Sequence, residues 1–154
     1  MMSRPPARDS ARMKYWKNSA VIRAPIERVF AYVDDTRTLG DWFPSLIEVR
    51  NLVGTGAGHQ FEWTYKMVGV LLTSQSVVVE HVPNECATHQ SIGMVHSTFT
   101  YCVEPHGDGT LLTIDVAYSI PFPVLGKVAE HVTERRNARE FELALINVKE
   151  LLEG

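Results

Sequence analysis

The stretch IRAPIERVFAYVDD, residues 22–35, changes its hydrophobic period partway along, and that change decides how the rest of the chain is read. Ile22 and Arg23 close a short segment, Tyr15–Arg23 (YWKNSAVIR), that is rich in β-formers and suits a first strand. Ala24-Pro25 ends it, because proline has no N–H for a ladder yet fits the first turn of a helix. Ile26, Val29, Phe30 and Val33 then recur at i, i+3, i+4 and i+7, the apolar face of a short amphipathic helix. Asp34-Asp35 stops that helix, since two carboxylates oppose the negative end of its dipole.

Working outward, Thr36–Asp41 reads as a second helical turn, closed by Trp42-Phe43-Pro44. Strands follow over Leu46–Val53, His59–Met67, Val70–Val82, Cys86–Ile92, Val95–Val103 and Thr110–Ile120. The clearest is HQFEWTYKM, where Phe61, Trp63, Tyr65 and Met67 alternate with Gln60, Glu62, Thr64 and Lys66. Gly54, Gly56 and Gly58 make one connection, Pro83-Asn84 a turn, and His106-Gly107-Asp108-Gly109 a hairpin. Pro121-Phe122-Pro123 ends the last strand, and Val124–Leu152 is helical, with no proline. Its apolar face changes side. Phe141, Ala144, Leu145, Val148 and Leu152 cluster opposite Leu125, Val128, Ala129 and Val132. A kink between Thr133 and Asn137 is expected, or two halves packed against different neighbours, the first half being the weaker and gating one. The element order is one strand, two short helices, six strands and a long helix. Short links between consecutive strands make this an α+β antiparallel meander.

At 154 residues and 17.3 kDa the chain fits one domain. Hydrophobic residues at 45% and charged residues at 21% exclude wholesale disorder or a fibre. No apolar run approaches the roughly 18 residues of a membrane span. The net charge of -3, without long charge blocks, gives nucleic acid no electrostatic footprint. Residues 1–14 form an expected disordered basic tail, the first part of a segment carrying Arg4, Arg8, Arg12, Lys14 and Lys17 against Asp9, and residues 15–153 form the domain. Cys86 and Cys102 are too few for a disulfide framework, so a reducing cytoplasm is the expected setting.

The combination of Ile22-Arg23-Ala24-Pro25-Ile26-Glu27-Arg28-Val29-Phe30, Asp34-Asp35, Trp42-Phe43-Pro44, the PFPVLG stretch at 121–126 and LINVKELLE at 145–153 resembles the START-like, or SRPBCC, superfamily. The likeness spans roughly residues 15–153 and is greatest to small bacterial polyketide cyclase/dehydrase-like proteins. It implies a helix-grip fold: a curved seven-stranded antiparallel sheet around the long C-terminal helix, two short helices between strands 1 and 2, and a cavity between sheet and helix. Three functions follow from it: binding a hydrophobic small molecule such as a lipid, quinone or polyketide; cyclase, aromatase or dehydratase chemistry on one; or protein interaction. No cofactor is implied.

The residues themselves point to the cavity. Phe61, Trp63, Tyr65, Met67, Phe99, Tyr101, Ile114 and Tyr118 lie on apolar strand faces, and tyrosine and tryptophan tips buried there need polar partners or a ligand. Val132 and Arg136 on the long helix complete the candidate ligand-binding set, Arg136 as a contact for an anionic group, with Arg135 and Arg139 on a solvated face. For acid–base chemistry the candidates are Tyr65, Tyr101, Tyr118 and His96, although the parity of His96 turns it away from Phe99 and Tyr101. His59, His81, His89, His96, His106 and His131 show no metal-ligand spacing, so no metal is expected. Gly54-Thr55-Gly56-Ala57-Gly58 lacks the lysine and helix start of a phosphate loop, and no G-x-S-x-G is present.

Overall fold

A computed structural model describes residues 13–67, 69–120 and 122–154, with the side chains of 122–133 outside the description. The expected basic tail therefore lies almost wholly outside the described residues. Strand β1 (Lys14–Ile22) leads through Pro25, which caps helix α1 (Ile26–Asp34) from an extended conformation. Asp35 follows, its carboxylate accepting the Arg37 N–H to start a 3-10 turn over Thr36–Thr38, and α2 (Leu39–Trp42) completes the helical excursion. Strands β2 (Leu46–Val53), β3 (Gln60–Met67), β4 (Val70–Val82), β5 (Cys86–Gly93), β6 (His96–His106) and β7 (Gly109–Ser119) run in meander order. Helix α3 (Phe122–Glu153) closes the chain.

All seven strands form one antiparallel sheet in the order β1-β7-β6-β5-β4-β3-β2. The first and last strands are neighbours, so β1 is one edge and β2 the other. The helix-grip expectation of a seven-stranded sheet with a C-terminal helix holds. The close passage of β7 over the end of β1 depends on Gly109, where any Cβ would stand 2.3 Å from the Ile22 carbonyl oxygen. Thr110, fully buried beside it, donates its hydroxyl to the Ala24 carbonyl at 2.8 Å.

One core serves the whole sheet. Val29, Phe30 and Val33 of α1 are buried with Leu112, Ile114 and Val116 of β7 and with Ala144, Leu145, Val148 and Leu152 of α3. The backbone of α3 is helical from Phe122 to Glu153 without interruption, and it starts two residues earlier than the proline spacing predicted. Its C-terminal half is tied down by polar contacts. Lys149 Nζ donates to the Val21 carbonyl, the Arg23 N–H donates to Glu153 Oε2 at 2.8 Å, and Asn147 donates to the Trp42 carbonyl at 3.2 Å. The apolar face expected at Leu125, Val128, Ala129 and Val132, with the gating role attached to it, concerns side chains outside the described residues.

The cysteines correct a sequence expectation. Cys86 and Cys102 stand directly opposite on β5 and β6 and are joined by a disulfide. Their neighbours Glu85 and Val103 share a backbone hydrogen bond of 2.8 Å, which makes the cysteines a non-hydrogen-bonded pair, where side chains approach closest. The argument for a reducing compartment from cysteine usage accordingly falls. Among the described residues no helix is long and apolar enough to cross a membrane.

Candidate functional site: a lined cavity with one polar wall

Between the sheet and α3 lies a cavity of about 120 Å³, where one buried water needs roughly 10–15 Å³ on the same measure. The space is several times what a few trapped waters require. Period-two alternation supplies most of its wall: Phe61, Trp63, Tyr65 and Met67 of β3, Phe99 and Tyr101 of β6, and Val116 and Tyr118 of β7 all face it. Leu39 and Trp42 of α2, with Phe43 just after it, close one side, and Phe141 and Asn137 cover it from α3. The rings interlock edge to face. Phe43 meets Phe99 at 5.8 Å and Phe141 at 6.3 Å, and Phe141 meets Tyr118 at 5.8 Å.

Seven of the ten sequence candidates thus line the cavity, two do not, and one falls outside the described side chains. Ile114 is 1% exposed but lies farther along β7, in the core that α1 covers. The Val132 side chain is outside the described residues. Arg136 is exposed, and the next residue, Asn137, takes the inward position, so no arginine of this turn lines the cavity. His96 is exposed as its parity requires.

Several polar groups on and beside the wall are held by neighbours. Trp63 Nε1 donates to Ser76 Oγ at 2.9 Å, and Asn137 Nδ2 donates to the Tyr118 hydroxyl at 3.1 Å. Glu140, nearly buried on α3, accepts the Ser45 N–H at 2.6 Å. Burial, and after it the Glu140 carboxylate, push the Tyr65 hydroxyl far above its ordinary pKa, and burial raises that of Tyr118. Both phenols are neutral hydrogen-bonding groups at any physiological pH.

A chain of side chains runs from the opposite wall towards the surface. His89 of β5 is 6% exposed and lines the cavity, with Phe61 at 5.6 Å and Phe99 at 6.0 Å from its ring. Its Nε2 is 3.1 Å from the Tyr101 hydroxyl, which donates to Asp34 Oδ1 at 2.5 Å. Asp34 Oδ2 accepts from His81 Nε2 at 2.9 Å, and both Asp34 and His81 reach solvent. Burial lowers the His89 pKa to about 4, so the imidazole is neutral near pH 7. Burial and the Asp34 bond raise that of Tyr101. The sequence reading missed His89 as one of six scattered histidines and Asp34 as a mere helix stop. The signal for His89 was available, since a hairpin centred on residue 94 sets it opposite Phe99.

Comparison with known proteins agrees with this architecture. A family model for "polyketide cyclase / dehydrase and lipid transport" matches residues 16–153. Among solved structures, the TTHA0849 protein of Thermus thermophilus superposes with a TM-score of 0.78 at 18% identity, covering 89% of this chain and 95% of that one. The Zhui aromatase/cyclase from Streptomyces sp. R1128 gives 0.75 at 18% identity, covering 92% and 94%. The di-domain aromatase/cyclase StfQ from the steffimycin biosynthetic pathway gives 0.75 at 14% identity, covering 95% of this chain and 53% of that one. No curated protein matches by sequence. At these identities the structures share a fold with this chain.

Proposed function

The chain belongs to the polyketide cyclase / dehydrase and lipid transport family, and on that premise we propose that it binds a hydrophobic small molecule, of lipid, quinone or polyketide type, in the cavity between sheet and α3. The observation that carries this reading is the wall itself. Aromatic and aliphatic side chains surround a void of about 120 Å³, and among the few polar groups Trp63, Tyr101, Tyr118 and Asn137 are each held by a hydrogen bond. That is the composition of a small-molecule site. A solid core would close around those rings, since an unfilled cavity costs about 20–25 cal/mol per Å³.

A second reading, cyclase or dehydratase chemistry in the same cavity, is favoured by one observation: a buried, neutral imidazole on its wall. Such a group is suited to positioned proton transfer. It needs no different ligand class.

Native mass spectrometry of the purified protein tests the binding reading, with a non-covalent adduct of a few hundred daltons as the expected result. In addition, 1-anilinonaphthalene-8-sulfonate should bind and change the emission of Trp42 and Trp63, which line the cavity. Val116→Phe, which fills the void, should weaken that binding at least tenfold. No adduct, together with dye binding unaffected by Val116→Phe, removes the proposal.

A further inference from the structure

We propose that Nδ1 of His89 is a preset hydrogen-bond acceptor for a hydroxyl group on the cavity's ligand, so that the site selects phenols and related hydroxylated ring compounds over their ethers and bare hydrocarbons. This rests on the reading of the cavity as a small-molecule site and names the class of molecule it takes.

Asp34 is a carboxylate and only accepts, so Tyr101, at 2.5 Å, spends its single hydroxyl hydrogen on it. The Tyr101 oxygen is then left as an acceptor towards His89, 3.1 Å away. His89 Nε2 must therefore carry a hydrogen. A neutral imidazole holds one N–H, which leaves Nδ1 with a bare lone pair. Burial keeps the ring neutral, with its pKa lowered to about 4. No bond to Nδ1 is formed among the described residues, although the side chain is more than nine-tenths buried. A buried acceptor without a partner costs about 1–3 kcal/mol, and a hydroxyl arriving in the cavity relieves that cost.

The rest of the network holds this arrangement in place. His81 Nε2 donates to the second Asp34 oxygen at 2.9 Å, fixing the carboxylate that orders Tyr101. Asp34, Tyr101 and His81 are positioning residues: they fix the His89 tautomer from behind the wall. The neighbouring rings Phe61 and Phe99 flank the imidazole and offer a flat ligand two apolar surfaces.

The test compares 1-naphthol with 1-methoxynaphthalene, which share a ring system and differ in whether they can donate a hydrogen bond. Tryptophan emission titrations should show 1-naphthol binding about two- to tenfold more tightly to the wild-type protein. His89→Phe should abolish the preference and Tyr101→Phe should reduce it, with 1-methoxynaphthalene still bound by both. A preference that survives His89→Phe, or none in the wild type, overturns the inference and leaves the binding reading standing. Failure of both compounds to bind removes the two together. Nitrogen-15 spectra of wild-type protein labelled at histidine give a readout that needs no variant. They should show His89 protonated at Nε2 and bare at Nδ1, with the Nδ1 resonance moving when 1-naphthol is added and staying when 1-methoxynaphthalene is added. The opposite tautomer, or a silent Nδ1, refutes the assignment.

Discussion

Tyr101 and Asp34 are 67 residues apart and share a 2.5 Å hydrogen bond, which fastens the last residue of α1 to the inner face of β6. The tyrosine is 1% exposed and the carboxylate sits at the protein edge, so the bond spans the boundary between core and solvent. Removing the hydroxyl with Tyr101→Phe leaves the carboxylate hydrated but strands His89 Nε2–H inside. Urea denaturation should show a loss of about 1–3 kcal/mol. A variant as stable as wild type means this bond holds nothing in place.

Acid should weaken the fold through His89. Its folded pKa lies near 4 against an ordinary 6.5, so between those values the unfolded chain binds about one more proton than the native state. Stability from this group is complete above pH 6.5, falls as the pH drops and is gone below about 4, a total of about 3 kcal/mol. Denaturation midpoints at pH 4.5 and 7 should differ more for wild type than for His89→Gln. Parallel pH profiles count against a neutral buried imidazole.

Helix α3 should be sensitive on one face alone. Leu145 is 4% exposed and Leu151 is 48% exposed. Leu145→Ala should cost about 2–5 kcal/mol, because it opens a hole in the core. Leu151→Ala should stay within about 0.5 kcal/mol. Thermal denaturation of the pair checks the orientation of the helix directly.

Two glycines should respond with opposite signs. At Gly109 an added methyl meets the Ile22 backbone at 2.3 Å, whereas at Gly40 within α2 it meets nothing within 4 Å. Gly109→Ala should force β7 from β1 and destabilise by about 1–3 kcal/mol. Gly40→Ala should stabilise by about 0.4–1 kcal/mol, since it restricts the unfolded chain at no steric cost. Chemical denaturation of both gives the comparison.

Reduction should be felt across the β5–β6 hairpin. The disulfide closes a loop with a sequence separation of 16, worth about 3 kcal/mol in the chain-entropy account. Dithiothreitol, or Cys86→Ala with Cys102→Ala, should lower the midpoint accordingly. Native and reduced protein of equal stability would mean that the strand pairing alone fixes this register.

The fold was legible where side chains repeat with a clear period. HQFEWTYKM gave β3 and three of the cavity's aromatic rings, and IRAPIERVF gave the strand–proline–helix opening. What escaped depends on phase and register, which local patterns do not hold. Counting forward from Val132 put Arg136 inward. Counting back four residues from Phe141, on the face that is anchored, gives Asn137, the residue that lines the cavity. Cys86 and Cys102 have no telling spacing until the hairpin register sets them opposite. Asp34 meets Tyr101 through tertiary packing of a helix end on the sheet, to which no single segment holds the key.

The pairing of Lys14–Ile22 with Thr110–Tyr118 also sets the order in which the molecule can assemble as it is made. Strands β3 to β7 can each pair with the strand just synthesised, across short turns. β1 has no partner until nearly a hundred further residues have left the ribosome, and closing so long a loop carries the larger entropic cost. β1 therefore docks late, and until β7 is made it remains an unpaired strand. Its polar edge residues Lys17, Asn18 and Ser19 suit that interval, because they give a passing strand little reason to stick.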